Sequence, residues 1–174
     1  MHADDLRIGH GWDLHRLEAT PPAGAGRPLV VGGVRLEHDR GVAAHSDGDV
    51  LLHAVTDALL GAIGEGDIGQ LFPDTDPRHE GRDSAEFVRE AAARVARAGW
   101  RVASLDTTVI LERPKIGAHK DAMRRTLAGL VGADVSRVNV KGKTHERVDA
   151  VGEGRAVEAH AVVLLVRAER PRVD

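Results

Sequence analysis

The chain has 174 residues, a net charge of −3 with histidine neutral, 42% hydrophobic and 29% charged residues, and no cysteine. That length suits one domain over residues 1–174, and the lack of any Lys/Arg block argues against a nucleic-acid partner. Disulfides and thiolate metal sites are excluded, no apolar run reaches bilayer length, and MHADDLRIGH lacks the basic-then-apolar order of a signal peptide, so a cytoplasmic protein with no membrane partner is expected.

LRIGHGWDLHRL (6–17) and PLVVGGVRL (28–36) read as extended segments joined by the Pro/Gly/Ala loop EATPPAGAGRP (18–28). A first helix is predicted over 47–64. Ser46 is its expected N-cap, Asp47 and Asp49 suit the positive end of its dipole, and Gly64 and Gly66 end it. DIGQLFPDTDP (67–77) reads as a loop. A second helix is predicted over 84–98, with Asp83 and Glu86 as a capping pair, Gly99 as its stop, and Phe87, Val88, Ala91, Ala92 and Val95 as its apolar face. WRVASLDTTVIL (100–111) is a strand rich in β-branched residues, broken by Pro114. A third helix is predicted over 117–131, with Met123, Leu127, Leu130 and Val131 at helical spacing. RVNVKGKT (137–144) and AVEAHAVVLLVRA (156–168) read as the closing strands. The alternation gives an α/β (α+β sandwich) fold, a mixed four-stranded sheet with helices on one face. The apolar last strand needs both faces covered, which an oligomer could supply.

Three apparent motifs carry no chemistry. Gly64, Gly66 and Gly69 spell G-x-G-x-x-G, but after a helix rather than a strand. GKT (142–144) ends like a phosphate-binding loop, yet Arg137 stands where its first glycine belongs. HERVD (145–149) starts like a zinc-protease helix, but Asp149 occupies the second histidine position.

Asp13 and His15 are two apart on a predicted strand and so share a face. A carboxylate beside an imidazole can hold a borderline metal such as zinc, or simply form an Asp–His hydrogen bond. His53 interrupts an otherwise apolar helix, where a buried imidazole needs a partner. It could be a core histidine bonded to a carbonyl, or the third ligand of a zinc site with an open position. His10 and His45 compete for that role. His45 and Ser46 lie where helix N–H groups would suit a phosphate. The acids at 67, 74 and 76 could bind hydroxyls or a metal. Lys115, Lys143 and Thr144 could hold anions, and Glu146 a hard cation such as magnesium.

RIGHGWDLHRL, AHSDGDVLLHAVTDALLGAIGEGDIGQLFPDTDP, RPKIGAH and GEG, in that order, resemble the 2-C-methyl-D-erythritol 2,4-cyclodiphosphate synthase family of the non-mevalonate isoprenoid route, from about Arg7 to Arg167. The resemblance implies a homotrimer around a central sheet-lined cavity, with active sites between adjacent subunits. It implies zinc (Zn2+) on Asp13, His15 and His53, and a second ion, Mg2+ or Mn2+, on Glu146. It implies 4-diphosphocytidyl-2-C-methyl-D-erythritol 2-phosphate as substrate, cyclised with release of CMP. His45 and Thr144 match the positions that stabilise the transition state. Ser46, Asp67, Ile68, Gly69, Phe72, Pro73, Asp74, Thr75 and Asp76 match the substrate-binding blocks. Leu111, Glu112, Arg113, Pro114, Lys115, Ile116 and Gly117, with Lys143, Thr144, His145 and Glu146, match the cytidine-diphosphate loops. Two departures stand out. Lys143 and His145 replace small hydroxyl residues, and the segment from Glu146 to Gly152 is about two residues short, with Val151 near the place of a familiar arginine. The alternatives are another zinc-dependent phosphodiesterase, or a non-catalytic trimer that binds cytidine nucleotides or isoprenoid diphosphates.

Overall fold

The first extended segment becomes β1 (Leu6–Ala19) in a computed structural model that describes residues 3–73, 75–76 and 80–168. β1 pairs antiparallel with the last strand, β7 (Ala156–Arg167), from Leu6↔Val166 to Arg16↔Ala156. On the far side of β7 lies β5 (Trp100–Ile110), antiparallel to it, and then β6 (Val138–Lys143), parallel to β5. A short β4 (Arg40–Val42) joins the outer edge of β1 through Leu17↔Val42, giving five strands in the order β4-β1-β7-β5-β6. The expected four-stranded sheet thus gains a strand, because three residues are too few to display an alternating pattern. The second extended segment stays out of this sheet. It folds back at Gly32 and Gly33 into its own hairpin, β2 (Val30–Val31) with β3 (Val34–Arg35).

The helices are α1 (Val50–Ile63), α2 (Ile68–Leu71), α3 (Ser84–Arg97), α4 (Lys120–Val131) and α5 (Asp149–Gly152). α1 lies on β1 and β7, with α3 against α1 and α4 against β6. The helix-facing side of β7 (Val157, Ala159, Ala161, Val163, Leu165) is fully buried, whereas Val162 and Leu164 on its other side are exposed. On β1 the same outward side leaves Ile8 71% and Trp12 50% exposed, so this sheet face carries exposed apolar side chains beside a polar group of His10, His160 and Glu158. Helices therefore pack on one face, as expected. Among the described residues, no helix is long and apolar enough to cross a membrane.

The predicted apolar face of α3 is buried at Phe87, Val88, Ala91 and Val95, with Ala92 partly so. Asp83 caps α3 by accepting from the Ala85 N–H at 2.8 Å. Its expected partner Glu86 accepts from Arg82 Nε instead, at 2.7 Å. The third helix starts at Lys120 rather than 117, because Gly117–His119 form a tighter 3-10 turn. Two further short helices appear where loops were expected, α2 within 67–77 and α5 after the HER segment.

α1 begins three residues later than predicted, and Asp49 rather than Ser46 is its N-cap. Gly48 adopts a left-handed φ of 73°, which interrupts any helical path through HSDG. Asp49 is fully buried. Its Oδ1 accepts from Leu51 and Leu52 N–H at 3.1 Å each and from Gly32 N–H at 2.8 Å, while Oδ2 accepts from Gly33 N–H at 2.6 Å. One carboxylate thereby starts the central helix and ties the β2–β3 hairpin to it. Ser46 Oγ accepts from the Gly48 N–H at 3.1 Å, and Asp47 Oδ1 from the Asp49 N–H at 3.1 Å. Side chains thus occupy the N–H groups that the sequence offered to a phosphate.

Candidate active site and metal centre

Gly9, Gly11, Asp13 and His15 alternate along one face of β1. A Cβ at Gly9 would stand 1.9 Å from Ala58 O, and one at Gly11 1.9 Å from Ala54 O. The backbone of α1 therefore rests directly on β1, a separation only glycine permits. This contact carries the first turn of α1, and His53 with it, over Asp13 and His15. Asp13 Oδ2 is 3.0 Å from His15 Nε2 and 3.0 Å from His53 Nδ1, and the two nitrogens are 3.1 Å apart. Among the described residues this is the only group of three His, Cys, Asp or Glu side chains with metal-ligand proximity. His10 lies on the opposite face of β1, 3.3 Å from His160 Nδ1, and His45 also stands outside the cluster.

Desolvation opposes ionisation of Asp13, but hydrogen bonds and charge from His15 and His53 outweigh it and hold its carboxyl well below the ordinary carboxylate range. Three polar atoms facing one another at these distances need a positive centre between them, supplied by protons or by a metal ion competing for the same lone pairs. A tetrahedral ion with bonds of ~2.0–2.1 Å separates its donors by about 3.3 Å, close to the triangle observed. Two imidazoles and one carboxylate suit a divalent cation of intermediate softness.

A cleft opens beside this cluster, lined by His15, His53, His45, Ser46, Ile68, Gly69, Phe72 and Phe87. The buried Nε2 of His45 has no hydrogen-bond partner among the described residues, which is unusual for a buried polar atom outside a functional site. Asp67 does not line the cleft; it caps α2, with Oδ1 accepting from Gln70 N–H at 2.9 Å. α2 is also anchored to α1 by Asp57, which accepts from Ile68 N–H at 2.7 Å. Pro73, Thr75 and Asp76 stand outside the cleft lining, and Asp74 lies outside the described residues.

A second cavity is lined by Leu111, Lys115, Ile116, Gly117, Lys143, Thr144 and Glu146, together with Val109, Lys120 and Gly142. It shares no lining residue with the first, so within one chain His45 and Thr144 occupy different cavities. Glu112 and Arg113 face a third cavity with His38, Arg40 and Arg147. Pro114 lines neither of the first two. His145 turns away, its Nδ1 2.8 Å from Asp149 Oδ2. The shortened loop is tightly wound, with Glu146, Arg147 and Asp149 at φ 52°, 67° and 62°. That left-handed region is uncommon for residues with a Cβ and marks strained, over-determined segments.

Sequence reasoning missed a polar chain behind His53. Its Nε2 is 2.8 Å from Ser84 Oγ and 3.2 Å from Ser46 Oγ. Ser84 in turn contacts Asp47 through both its hydroxyl and its N–H, the latter at 3.1 Å. Asp83 and Ser84 read as a helix start, and no local pattern announces that this start touches α1.

A strand carboxylate and histidine joined by a helix histidine at the mouth of a cleft define an α/β protein with a side-chain group that could hold a divalent metal ion. The chain belongs to the YgbB family, the 2-C-methyl-D-erythritol 2,4-cyclodiphosphate synthases, whose pattern matches residues 6–166. It is 55% identical over 162 residues to the chloroplastic 2-C-methyl-D-erythritol 2,4-cyclodiphosphate synthase of Catharanthus roseus, a match covering 93% of this chain and 66% of that protein. It is 53% identical to the synthase of Chromobacterium violaceum, covering 94% of this chain and 99% of that one. Among solved structures, the CDP complex of Plasmodium falciparum IspF superposes with a TM-score of 0.82 at 33% identity, over 97% of this chain and 100% of that chain. The bifunctional IspDF of Campylobacter jejuni superposes with a TM-score of 0.87 at 35% identity, over 94% of this chain but 43% of that chain. This chain thus spans under two thirds of the plant relative and under half of the bifunctional one.

Proposed function

We propose that this chain, as a single domain, converts 4-diphosphocytidyl-2-C-methyl-D-erythritol 2-phosphate into 2-C-methyl-D-erythritol 2,4-cyclodiphosphate and CMP in the non-mevalonate route to isoprenoids. An oxygen of the 2-phosphate forms a bond to the β-phosphorus. The bond from that phosphorus to the bridging oxygen breaks, and CMP leaves with the oxygen. The observation that carries this reading is the Asp13–His15–His53 triangle at the edge of a cleft.

The obstacle is charge, since an anionic phosphate must approach a second anionic phosphorus. Asp13, His15 and His53 are the residues that would hold zinc, which supplies Lewis-acid charge to the phosphate oxygens when bound. His45 lines this cleft and would hydrogen-bond a phosphate oxygen there. Ser46, Ile68, Gly69 and Phe72 shape the wall for the methylerythritol portion. Lys115 and Lys143 bring cationic charge to the cytidine-diphosphate side, with Thr144 offering a hydroxyl there. Glu146 in the same cavity is the residue that would hold magnesium or manganese, which would supply further positive charge to the phosphates. The nucleophile is already ionised, so no strong general base is required, and joining both phosphates in one substrate supplies proximity.

The separation of His45 from Thr144 supports a homotrimer in which neighbouring chains complete each site. So does the uncovered face formed by Leu6, Ile8, Trp12, Leu14, Val162 and Leu164, which association would remove from water. In that arrangement the face lines a central cavity.

Phosphorus NMR of the substrate incubated with protein, zinc and magnesium is expected to show a cyclic diphosphate appearing together with CMP. CMP without the cyclic product would identify a phosphodiesterase instead, and cytidine-nucleotide binding without turnover would identify a binding protein.

A further inference from the structure

We propose that Ser84, held by Asp47, is a positioning residue that fixes the His53 ring for metal binding, an inference that rests on the metal-centre reading above. The logic is one of proton counting. An ionised carboxylate can only accept hydrogen bonds, and a serine hydroxyl has a single proton. Ser84 spends that proton on Asp47 Oδ1 and gives its backbone N–H to Asp47 Oδ2 at 3.1 Å. Its Oγ can then only accept from His53 Nε2, 2.8 Å away. His53 Nε2 therefore carries a proton, so that once a metal displaces any proton on Nδ1 the lone pair there is directed towards Asp13 Oδ2 and His15 Nε2. A ligating histidine whose other nitrogen donates to a fixed partner is oriented and made more basic by it.

The parts of this chain come from separate elements. His53 is in α1, Ser84 opens α3, and Asp47 belongs to the turn before α1. Ser84 is fully buried, so no water competes for its hydroxyl. Asp47 is itself fixed, since its Oδ1 accepts from the Asp49 N–H and its own N–H donates to Arg82 O, each at 3.1 Å. Ser46 Oγ, 3.2 Å from His53 Nε2, is a second and longer contact. The cap of α3 does not involve the Ser84 side chain, because Asp83 accepts from Ala85 N–H. Removing the hydroxyl therefore leaves the helix start intact.

The test is zinc affinity of the metal-stripped protein, measured by competition with a chromophoric chelator. Ser84→Ala is expected to bind zinc ~10–100-fold more weakly than the unaltered chain. Asp47→Asn, which alters the partner that fixes the Ser84 proton, is expected to weaken binding in the same direction. A second readout separates positioning from packing. In the zinc-loaded protein, proton–nitrogen NMR should show a slowly exchanging His53 Nε2–H, and in Ser84→Ala this proton should exchange rapidly while circular dichroism is unchanged. Unaltered zinc affinity in Ser84→Ala, or a His53 Nε2 that carries no proton in the zinc-loaded chain, would overturn the proposal. If the unaltered chain binds no zinc, or His53→Ala binds it equally well, the metal-centre reading fails before this one is reached.

Discussion

Replacing His53 with alanine is expected to abolish tight zinc binding and reduce kcat/KM by about 10³-fold or more, while the chain stays folded. Losing one positioned electrostatic group at a reacting centre commonly costs ~10²–10³-fold, and here the loss extends to the ion that the group helps to hold. His53 is one corner of a triangle with sides of 3.0, 3.0 and 3.1 Å, so its removal leaves only two donors. The helix should survive, because its start depends on Asp49 and its packing on Leu51, Leu52, Val55 and Leu59, all buried. Zinc content after dialysis, turnover and far-ultraviolet circular dichroism together make the measurement. Retained zinc with lost turnover would show that His53 serves substrate rather than metal.

The largest effect on stability is expected from Asp49→Ala, about 3–5 kcal/mol at pH 5. The substitution strands four backbone N–H groups that now share one carboxylate, from Gly32, Gly33, Leu51 and Leu52. An unpaired buried donor costs ~1–3 kcal/mol and a lost N-cap ~1 kcal/mol, with partial relief from water entering the gap. The effect should depend on pH in a defined direction. Burial pushes the Asp49 carboxyl up to about 6, against the N–H groups of Gly33, Leu52 and Gly32, with Asp47 adding to the rise. A group whose pKa is higher folded than unfolded binds protons more tightly in the folded chain. Its stabilisation is therefore full below the ordinary carboxylate range and is lost as pH rises through about 6. The alanine chain lacks that loss, so the gap between the two should be widest below pH ~4 and narrow progressively towards pH ~7. Urea denaturation across this range measures it. A gap below about 1 kcal/mol, or one that widens with pH, would contradict the role assigned to Asp49.

The strand histidine and carboxylate were legible because a two-residue period puts Asp13 and His15 on one face whatever the fold around them. His53 is legible as an anomaly, a polar ring in an apolar helix, and as a candidate third ligand in competition with His10 and His45. Its convergence on β1 depends on Gly9 and Gly11 meeting the Ala58 and Ala54 carbonyls, a contact between elements about forty residues apart that leaves no local pattern. The same limit hid Ser84, whose buried hydroxyl joins α3 to His53 across 31 positions. Ser46 was misread as the cap because Ser and Asp are near-equal caps, and the choice fell to the left-handed Gly48 between them. Strand β4 escaped because Arg40–Val42 is held by pairing with β1 rather than by its own pattern. The loops around Lys115 and Thr144, far apart in sequence, line one cavity. Glu112 and Arg113 sit in the same stretch yet face another cavity, a difference no local pattern in the sequence announces.

All of this rests on three side chains from two elements sharing one ion. Anomalous diffraction at the zinc edge from crystals of the zinc-loaded protein tests that directly. The account predicts one peak per chain, ~2.0–2.2 Å from Asp13 Oδ2, His15 Nε2 and His53 Nδ1 together. A peak elsewhere, or none while those three atoms keep their places, would contradict it.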